Sequence, residues 1–284
     1  MTDEPTTVLP SVSTEDGAAF LSARALSAEG HEGAIFDNVF VEAGRGQLVA
    51  IAGQGGTGRT SLLLTLTGRF KHSAGTVSVD GHSEPKRVRE YAAIASAGPA
   101  VEPDEYLTVG ALISERLVIG GAEITPASVV EACALFGIDP DSGTLFGHLD
   151  APTKILFALA LATAEHRPII AVDDVDAGLD RRGVHRVWSA LRTLADHGHL
   201  VLATTAQPDM ADVTVHLPAE PSAATRIAPR AEPPASRRTG LHRAPSDVEK
   251  SADDTPTAGR GIGPGLPVDA PETPARDRDE DGPR

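Results

Sequence analysis

Residues 46–63 read GQLVAIAGQGGTGRTSLL, and this pattern points to an α/β protein. The aliphatic run from Leu48 to Ala52 predicts a buried strand, and the glycines at 53, 55, 56 and 58 predict a tight loop directly after it. From Arg59 onward the residues are mostly apolar, which predicts a helix. This order of elements fits the pattern GxxxxGK[ST], except that Arg59 stands where the pattern has lysine.

The glycine-rich loop has the chemistry of an anion site. Its glycines allow backbone N–H groups to turn inward around an anion, and the following helix directs its positive dipole end to the same place. Thr60 is the predicted hydroxyl ligand of Mg²⁺, and Arg59 keeps the positive charge on a bulkier, planar group. An ordinary glycine-rich turn is the alternative that the motif alone leaves open. The residues predicted to hold a diphosphate are Gly53, Gln54, Gly55, Gly56, Thr57, Gly58, Arg59, Thr60 and Ser61.

The rest of the chain up to residue 218 alternates short apolar runs with helical patterns, which is typical of parallel strands joined by crossover helices. Further buried strands are predicted at residues 169–172 and 200–204. Residues 75–80 alternate polar and apolar side chains instead, as a half-exposed antiparallel strand does. The predicted fold class is therefore α/β with a mixed or parallel sheet core.

These segments resemble, in order and spacing, the ATP-binding subunits of ATP-binding cassette (ABC) transporters. Residues 74–82, AGTVSVDGH, are similar to the hairpin that follows the P-loop helix in that family. Residues 168–180, PIIAVDDVDAGLD, are similar to its Walker B strand and D-loop. The resemblance implies a P-loop NTPase fold of the ABC type in a nucleotide-binding domain at 18–218, with a helical subdomain at about 107–165.

The resemblance also implies roles for three acidic residues and two cofactors, ATP and Mg²⁺. Asp173 would organise Mg²⁺ through its water shell, and Asp174 occupies the place of the catalytic glutamate that polarises the attacking water. Asp180 would be the D-loop aspartate that couples the two sites of a dimer. A solvated strand end with helix-capping acids is the alternative interpretation of Asp173 and Asp174, and the order and spacing of the two motifs argue against it.

The family's signature sequence is nearly gone. Residues 149–153, LDAPT, stand where the family has LSGGQ, and a helix is predicted at 154–164 directly after them. No glycine remains to bring backbone amides onto a γ-phosphate across a dimer, and Asp150 adds a negative charge there.

Two further catalytic groups of the family are missing. Residues 95–103 contain no glutamine for a Q-loop, and the position of the switch histidine falls near Ala206. His197 and His199 precede the strand at 200–204, and we interpret both as exposed loop residues. Because removing one positioned group commonly lowers a rate by ~10² to 10³, turnover by this chain alone is predicted to be slow or absent.

The composition of the chain argues against several classes of protein. The 284 residues carry a formal net charge of −15, which argues against a nucleic-acid partner. The single cysteine, Cys133, excludes an internal disulfide framework and lies in an apolar run like a small core residue. No apolar run approaches the ~20 residues of a membrane-spanning helix, and the N-terminus lacks a secretory pattern. A cytoplasmic protein that reaches the inner face of the membrane through a partner is expected.

The two ends of the chain differ from its middle. Residues 1–17 are predicted to be flexible, and residues 219–284 are predicted to be a disordered tail rich in proline and charge. From Pro221 onward the chain holds 11 of its 22 prolines, with 10 basic and 11 acidic residues. A tether, an interaction segment and a spacer all fit this composition.

The resemblance implies an ATP-binding subunit that works with a membrane permease subunit and forms a homo- or hetero-dimer with another ABC nucleotide-binding subunit. The alternative is a non-catalytic, nucleotide-sensing or structural cassette that partners an active subunit or a membrane protein. A soluble P-loop kinase or switch protein shares the Walker motifs but not the segment similar to the D-loop.

Overall fold

The computed structural model describes residues 19–31, 33–98, 101–120 and 124–219. The N-terminal segment predicted to be flexible and almost all of the predicted tail lie outside these ranges. In chain order, the elements are β1 (Leu21–Gly30), β2 (Gly33–Ala43), β3 (Leu48–Ala52), α1 (Arg59–Leu66), β4 (Ala74–Val79), α2 (Pro85–Glu90), β5 (Ala92–Ser96), α3 (Val109–Gly120), α4 (Pro126–Leu135), a 3-10 turn (Phe146–His148), α5 (Ala151–Thr163), β6 (Ile169–Val172), α6 (Arg181–Asp196), β7 (Leu200–Thr205) and β8 (Val213–His216).

A five-stranded sheet in the order β5-β6-β7-β3-β8 forms the centre of the fold. All of its neighbouring strands run parallel. Every residue of β3, β6 and β7 is buried, and this burial on both faces explains why these strands read as continuous apolar runs. The predicted α/β fold is confirmed: β3 and β6 begin and end where predicted, and β7 extends one residue further, to Thr205.

A separate three-stranded antiparallel sheet has the order β2-β1-β4. Strand β4 pairs with β1, and its outer half is exposed, so the half-exposed antiparallel strand is confirmed. Asp80 and Gly81 follow it with φ angles of 51° and 76°, which suit a tight hairpin turn between Val79 and His82. The antiparallel strands therefore form a sheet of their own, and the five-stranded sheet is parallel throughout.

Two apolar clusters cover the two faces of the parallel sheet. Leu48 and Ala50 of β3 face one cluster, which includes the fully buried Trp188 and Phe157 of α6 and α5. Val49 and Ile51 face the other cluster, which joins α1 to the antiparallel sheet. Because successive side chains of a strand point to opposite faces, β3 packs against both apolar clusters.

Helix α5 starts three residues earlier than the predicted helix at 154–164. Asp150 caps its N-terminus by accepting a hydrogen bond from the Thr153 N–H at 2.7 Å, and Pro152 occupies the first turn, where proline is well tolerated. Together with α3, α4 and the 3-10 turn, α5 makes residues 107–165 mostly helical. No helix in the described ranges combines the length and hydropathy needed to cross a bilayer.

His199 differs from its predicted environment. It is half-buried rather than exposed, and a hydrogen bond of 3.0 Å joins its Nδ1 to the carbonyl oxygen of Arg167. Burial lowers the pKa of His199 below its usual value. His197 is exposed, as predicted.

Cys133 lies in α4 against the larger apolar cluster, with 8% of the residue exposed, so the predicted small core residue is confirmed. Burial raises the pKa of its thiol to about 11. We predict that iodoacetamide at pH 8 labels the native protein roughly a hundredfold more slowly than the unfolded protein, because only the thiolate reacts. Mass spectrometry gives both rates, and Cys133→Ser provides the unlabelled control. Equal rates before and after unfolding would show that the thiol is accessible.

Candidate functional site

The glycine-rich loop lies beyond the carboxyl end of β3, between the ends of β7 and β8, where parallel sheets place their ligands. The loop is folded onto itself, because the N–H and hydroxyl of Thr57 both donate to the carbonyl oxygen of Gln54, at 3.3 and 2.9 Å. A hydrogen bond from Gly53 N to Thr205 O, at 3.3 Å, ties the loop to β7. Within the described residues, no acceptor is recorded for the N–H groups of residues 58–61. These four N–H groups belong to the N-terminal end of α1.

Glycine is required in this loop for separate physical reasons. Gly56 and Gly58 have φ angles of 82° and 87°, in the left-handed region that side chains disfavour. A Cβ at Gly58 would lie 2.6 Å from the carbonyl oxygen of Ile35, and one at Gly53 would lie 2.5 Å from Thr57 Oγ1. At Gly55, by contrast, a Cβ would meet nothing within 4 Å. The loop backbone is therefore in close contact with its neighbours at Gly53 and Gly58, and has free space beside Gly55.

Arg59 forms an ion pair with Asp174, with Nη2 and Oδ1 2.7 Å apart. The Arg59 side chain is 12% exposed and that of Asp174 is 49% exposed. The second terminal nitrogen of Arg59, Nη1, is buried and has no hydrogen-bond partner among the described residues. A buried donor without a partner is costly, so this nitrogen is a candidate ligand contact.

The carboxyl group of Asp174 has a raised pKa. Partial burial raises the pKa most, and the negative charges of Asp173 and Asp176 add to the effect. The positive charge of Arg59 lowers the pKa and offsets part of the increase. Asp174 itself has a φ of 47°, an uncommon left-handed conformation for a residue other than glycine.

Asp173 is buried at the end of β6, and each of its two oxygens accepts a hydrogen bond from a threonine. Thr60 of α1 donates to Oδ2 at 2.7 Å, and Thr204 of β7 donates to Oδ1. The Thr204 hydroxyl also accepts from the N–H of Asp174 at 2.7 Å. One carboxylate therefore connects the loop helix to the two central strands.

The oxygens of Thr60 and Asp173 fit a magnesium ion that is bound together with phosphate. Mg²⁺ commonly takes one or two protein oxygens and fills its remaining positions with water and phosphate oxygens. The described residues contain no cluster of three or more histidine, cysteine or acidic side chains able to hold a metal without such help. Thr60 Oγ1 and Asp173 Oδ2 already lie 2.7 Å apart.

Asp176 joins the loop after β6 to the loop after β7. Its Oδ2 accepts hydrogen bonds from Thr205 Oγ1 at 2.7 Å, Ala206 N at 2.9 Å and Gln207 N at 3.2 Å. We call these three hydrogen bonds the Asp176 latch. Since Asp174 and Asp176 lie two residues apart, the latch also holds the segment that carries Asp174.

Residues 36–175, which contain the glycine-rich loop, Asp173 and Asp174, match the protein family described as ABC transporter. The chain is 29% identical over 177 residues to the cytochrome c biogenesis ATP-binding export protein CcmA of Rhodopseudomonas palustris (strain BisB5), covering 61% of this chain and 85% of that protein. The chain belongs to the ATP-binding cassette family. A second relative is the Nod factor export ATP-binding protein I of Burkholderia orbicola (strain AU 1054), 26% identical over 163 residues, with 56% of this chain and 54% of that protein covered.

Solved ABC proteins share the fold. One is cbiO1 from Clostridium perfringens, part of the ABC transporter complex cbiONQ, with a TM-score of 0.58, 19% identity, and coverage of 68% of this chain and 80% of that chain. Another is an ABC transporter ATP-binding protein from Pyrococcus furiosus, with a TM-score of 0.59, 20% identity, and coverage of 69% and 96%. At this level of identity the likeness concerns the fold alone.

The structure brings the predicted site residues of this ABC chain together. Residues 53–61 form one loop and the start of α1. The carboxyl end of β6 places Asp173 and Asp174 directly beside them. Gln54 contributes its backbone carbonyl to the loop, and the Ser61 carbonyl accepts a hydrogen bond from Thr65 within α1. The functional roles of these residues remain predictions.

The positions where this ABC chain departs from the family pattern are equally well defined. Asp150 occupies the start of α5, and its bond to Thr153 lowers the pKa of its carboxyl group. Ala206 follows β7 and offers only its backbone. A Cβ at Gly98 would lie 3.8 Å from Asp173 Oδ2, so a residue without a side chain borders the site. Asp180, by contrast, matches the predicted D-loop aspartate, and it caps α6 by accepting a hydrogen bond from Gly183 N at 2.7 Å.

Sequence reasoning missed Thr204 and Asp176. Thr204 ends a predicted apolar strand, and a polar residue at the carboxyl end of a parallel strand was the available signal. Asp176 had no comparable signal, because its partners lie 29 to 31 residues away along the chain.

We predict that Gly58→Ala destabilises the protein by about 1–3 kcal/mol, because it combines a left-handed φ with a clash against the Ile35 backbone. Gly55→Ala is the matched control within the same loop, since its added methyl group meets open space. Denaturant unfolding of both variants measures the difference. Equal stabilities would contradict the close approach of Gly58 to Ile35.

We further predict that Thr204→Val lowers the free energy of unfolding by about 1–3 kcal/mol, because the buried Asp173 Oδ1 and the partly buried Asp174 N both lose a hydrogen-bond partner. Thr214→Val on β8 is the control: Thr214 is half-buried and has no recorded side-chain hydrogen bond in the described ranges. Thermal and denaturant unfolding give the comparison. A Thr204 variant as stable as the Thr214 variant would refute the linking role of the hydroxyl.

Proposed function

We propose that this chain is the ATP-binding subunit of an ABC transport system. It binds Mg-ATP at residues 53–61 and couples nucleotide binding or slow hydrolysis to a membrane-embedded partner. The family relation supports ATP as the ligand.

The observation that carries this proposal is a set of donors without protein acceptors at one place. The N–H groups of residues 58–61 begin α1, and the buried Nη1 of Arg59 belongs to the same turn. Phosphate oxygens would satisfy all of these donors, and the helix dipole favours their negative charge. A merely structural glycine turn would give the Arg59 nitrogen no such partner.

In this proposal Thr60 and Asp173 would hold Mg²⁺. The ion, when bound, neutralises phosphate charge and orients the phosphates. Thr204 keeps the Asp173 carboxylate in position through its hydrogen bond to Oδ1. The two protein oxygens are close enough to contact one ion, since Thr60 Oγ1 and Asp173 Oδ2 lie 2.7 Å apart.

Asp174 is the proposed catalytic residue, which would orient and polarise a water molecule for attack on the outer phosphate. Two features keep this step slow. Its carboxylate is held by Arg59 at 2.7 Å, and an aspartate is one methylene shorter than the glutamate of the family pattern. Arg59 also replaces the lysine that reaches between the outer phosphates, and arginine is not an equivalent cation.

The proposed partners are a membrane permease subunit and a second ABC nucleotide-binding subunit, with the chain cytoplasmic and peripheral to the membrane. The relatives named as export proteins favour transport out of the cytoplasm. Asp150 at the start of α5 disfavours a phosphate there, so a heterodimer with a better-preserved subunit suits this chain more than a homodimer. The acidic net charge argues against a nucleic-acid partner.

A second candidate function is a non-catalytic cassette that senses nucleotide or serves as a structural partner of an active subunit. The ion pair between Arg59 and Asp174 favours it, because the proposed catalytic carboxylate is already occupied. The capped start of α5 favours it as well, because that end offers no glycine-lined amides to a partner's nucleotide.

We predict that calorimetry detects Mg-ATP binding and that Arg59→Ala weakens it by roughly 10- to 100-fold, the value of one charge-assisted hydrogen bond. Phosphate release should be at least ~10² slower than a typical kcat of ~10 s⁻¹, because several positioned groups are absent. Arg89→Ala, an exposed arginine of α2, is the control and should bind like the wild type.

Asp173→Ala separates the two candidate functions. Phosphate release that disappears in this variant would establish a working ATPase and exclude the non-catalytic cassette. Binding without release in the wild type would favour the sensing cassette. No binding of Mg-ATP at all would overturn both forms of the proposal.

A further inference from the structure

The proposed phosphate site has more acidic than basic side chains. Asp173, Asp174 and Asp176 lie within four consecutive residues at the end of β6, and the negative charges of Asp173 and Asp176 help to raise the pKa of Asp174. One side-chain cation, Arg59, is paired with them in the described part of the chain. A bound Mg²⁺ would bring this group of side chains to neutrality, and any nucleotide charge beyond that depends on backbone donors.

Backbone donors are plentiful for the first two phosphates. The N–H groups of residues 58–61 lack acceptors in the described structure, and the helix start adds a favourable dipole. Arg59 Nη1 is a further donor beside them. A diphosphate can therefore bind at the loop without help from the loops after β6 and β7.

Arg59 begins α1 and its guanidinium contacts Asp174 at 2.7 Å, so a third phosphate that followed Arg59 towards Asp174 would find few donors. The Ala206 N–H already donates to Asp176 in the Asp176 latch, and the Gln207 N–H is shared between Asp176 Oδ2 at 3.2 Å and Thr205 Oγ1 at 3.0 Å. Gly98 and Ala206 have no polar side chain to offer. The carboxylates of Asp174 and Asp176 add repulsion where donors are missing.

We infer that this site binds a nucleoside diphosphate in preference to the triphosphate, and that the Asp176 latch sets the preference by occupying donors and adding negative charge. The inference rests on the proposed nucleotide binding and specifies its ligand. Asp176 acts here as a positioning residue for the loop after β7.

The size of the effect follows from Coulomb's law. One carboxylate acting on one additional phosphate charge several ångströms away, at an effective dielectric between that of protein surfaces and water, changes affinity by about three- to tenfold. Asp176→Asn removes the charge and keeps one side-chain oxygen that can still accept from Ala206 N. This variant therefore tests charge with little change in shape.

The experiment is calorimetry on the full chain with Mg²⁺, comparing ADP with the β,γ-imido analogue of ATP. Inorganic pyrophosphate and tripolyphosphate serve as a second pair of probes without adenine. We expect the wild type to bind each diphosphate at least about threefold more tightly than its triphosphate counterpart. In Asp176→Asn the ratio should shift about three- to tenfold towards the triphosphate. Asp139→Asn, an exposed charge outside the site, should leave the ratio unchanged.

The possible results test the ligand preference, the role of Asp176 and the proposed nucleotide binding separately. Tighter binding of the triphosphate by the wild type would overturn the preference while leaving the proposed nucleotide binding intact. An equal change for both ligands in Asp176→Asn, with unchanged denaturant unfolding, would remove Asp176 as its cause. Failure of every probe to bind would refute the proposed function, and the preference with it.

Discussion

The carboxylate of Asp173 is the contact on which the arrangement of the site depends. It is 7% exposed, and hydroxyl groups from α1 and β7 satisfy its two oxygens. A buried carboxylate is stable only when such partners are present, so Thr60 and Thr204 must stay where the structure has them. The start of α1, the end of β6 and the end of β7 are thereby fixed relative to one another. The positions of Arg59 and Asp174 follow, because each neighbours a residue of this contact in the sequence.

Burial explains why the central sheet was predictable. Strands β3 and β6 are buried along their whole length, so their sequences contain only apolar residues and their ends coincide with the first glycine or aspartate. The antiparallel β4 was predictable for the opposite reason, since its exposed side alternates with its buried side. The division into two sheets was not predictable from periodicity, because the pattern of a strand does not name its neighbours. The start of α5 at Ala151 was not predicted, because the capping hydrogen bond of Asp150 depends on the geometry of the turn before the helix.

In the candidate site, too, local features were predictable from the sequence and long-range contacts were not. Its loop is a local feature, and residues 53–61 carry both the glycines and the hydroxyls that define it, so sequence was sufficient. Thr204 and Asp176 act through partners about 30 residues away, and Arg59 reaches Asp174 across more than 100 residues. Such pairings depend on which strand ends lie side by side. His199 shows the same limit, because the Arg167 carbonyl that helps enclose it is 32 residues distant.

The two substitutions at Arg59 and Asp174 are complementary in length. Arginine is longer than the lysine of the family pattern, aspartate is shorter than the glutamate, and together they form a 2.7 Å contact. A guanidinium in that contact still has a second nitrogen, Nη1, free for a ligand, whereas an ammonium presents a single point of charge. The ion pair to Asp174 thus uses one of the two terminal nitrogens of Arg59 and leaves Nη1 without a partner among the described residues. Under the proposed function, this ion pair would oppose the use of Asp174 as a base more than it would oppose nucleotide binding, so binding and hydrolysis would be separable.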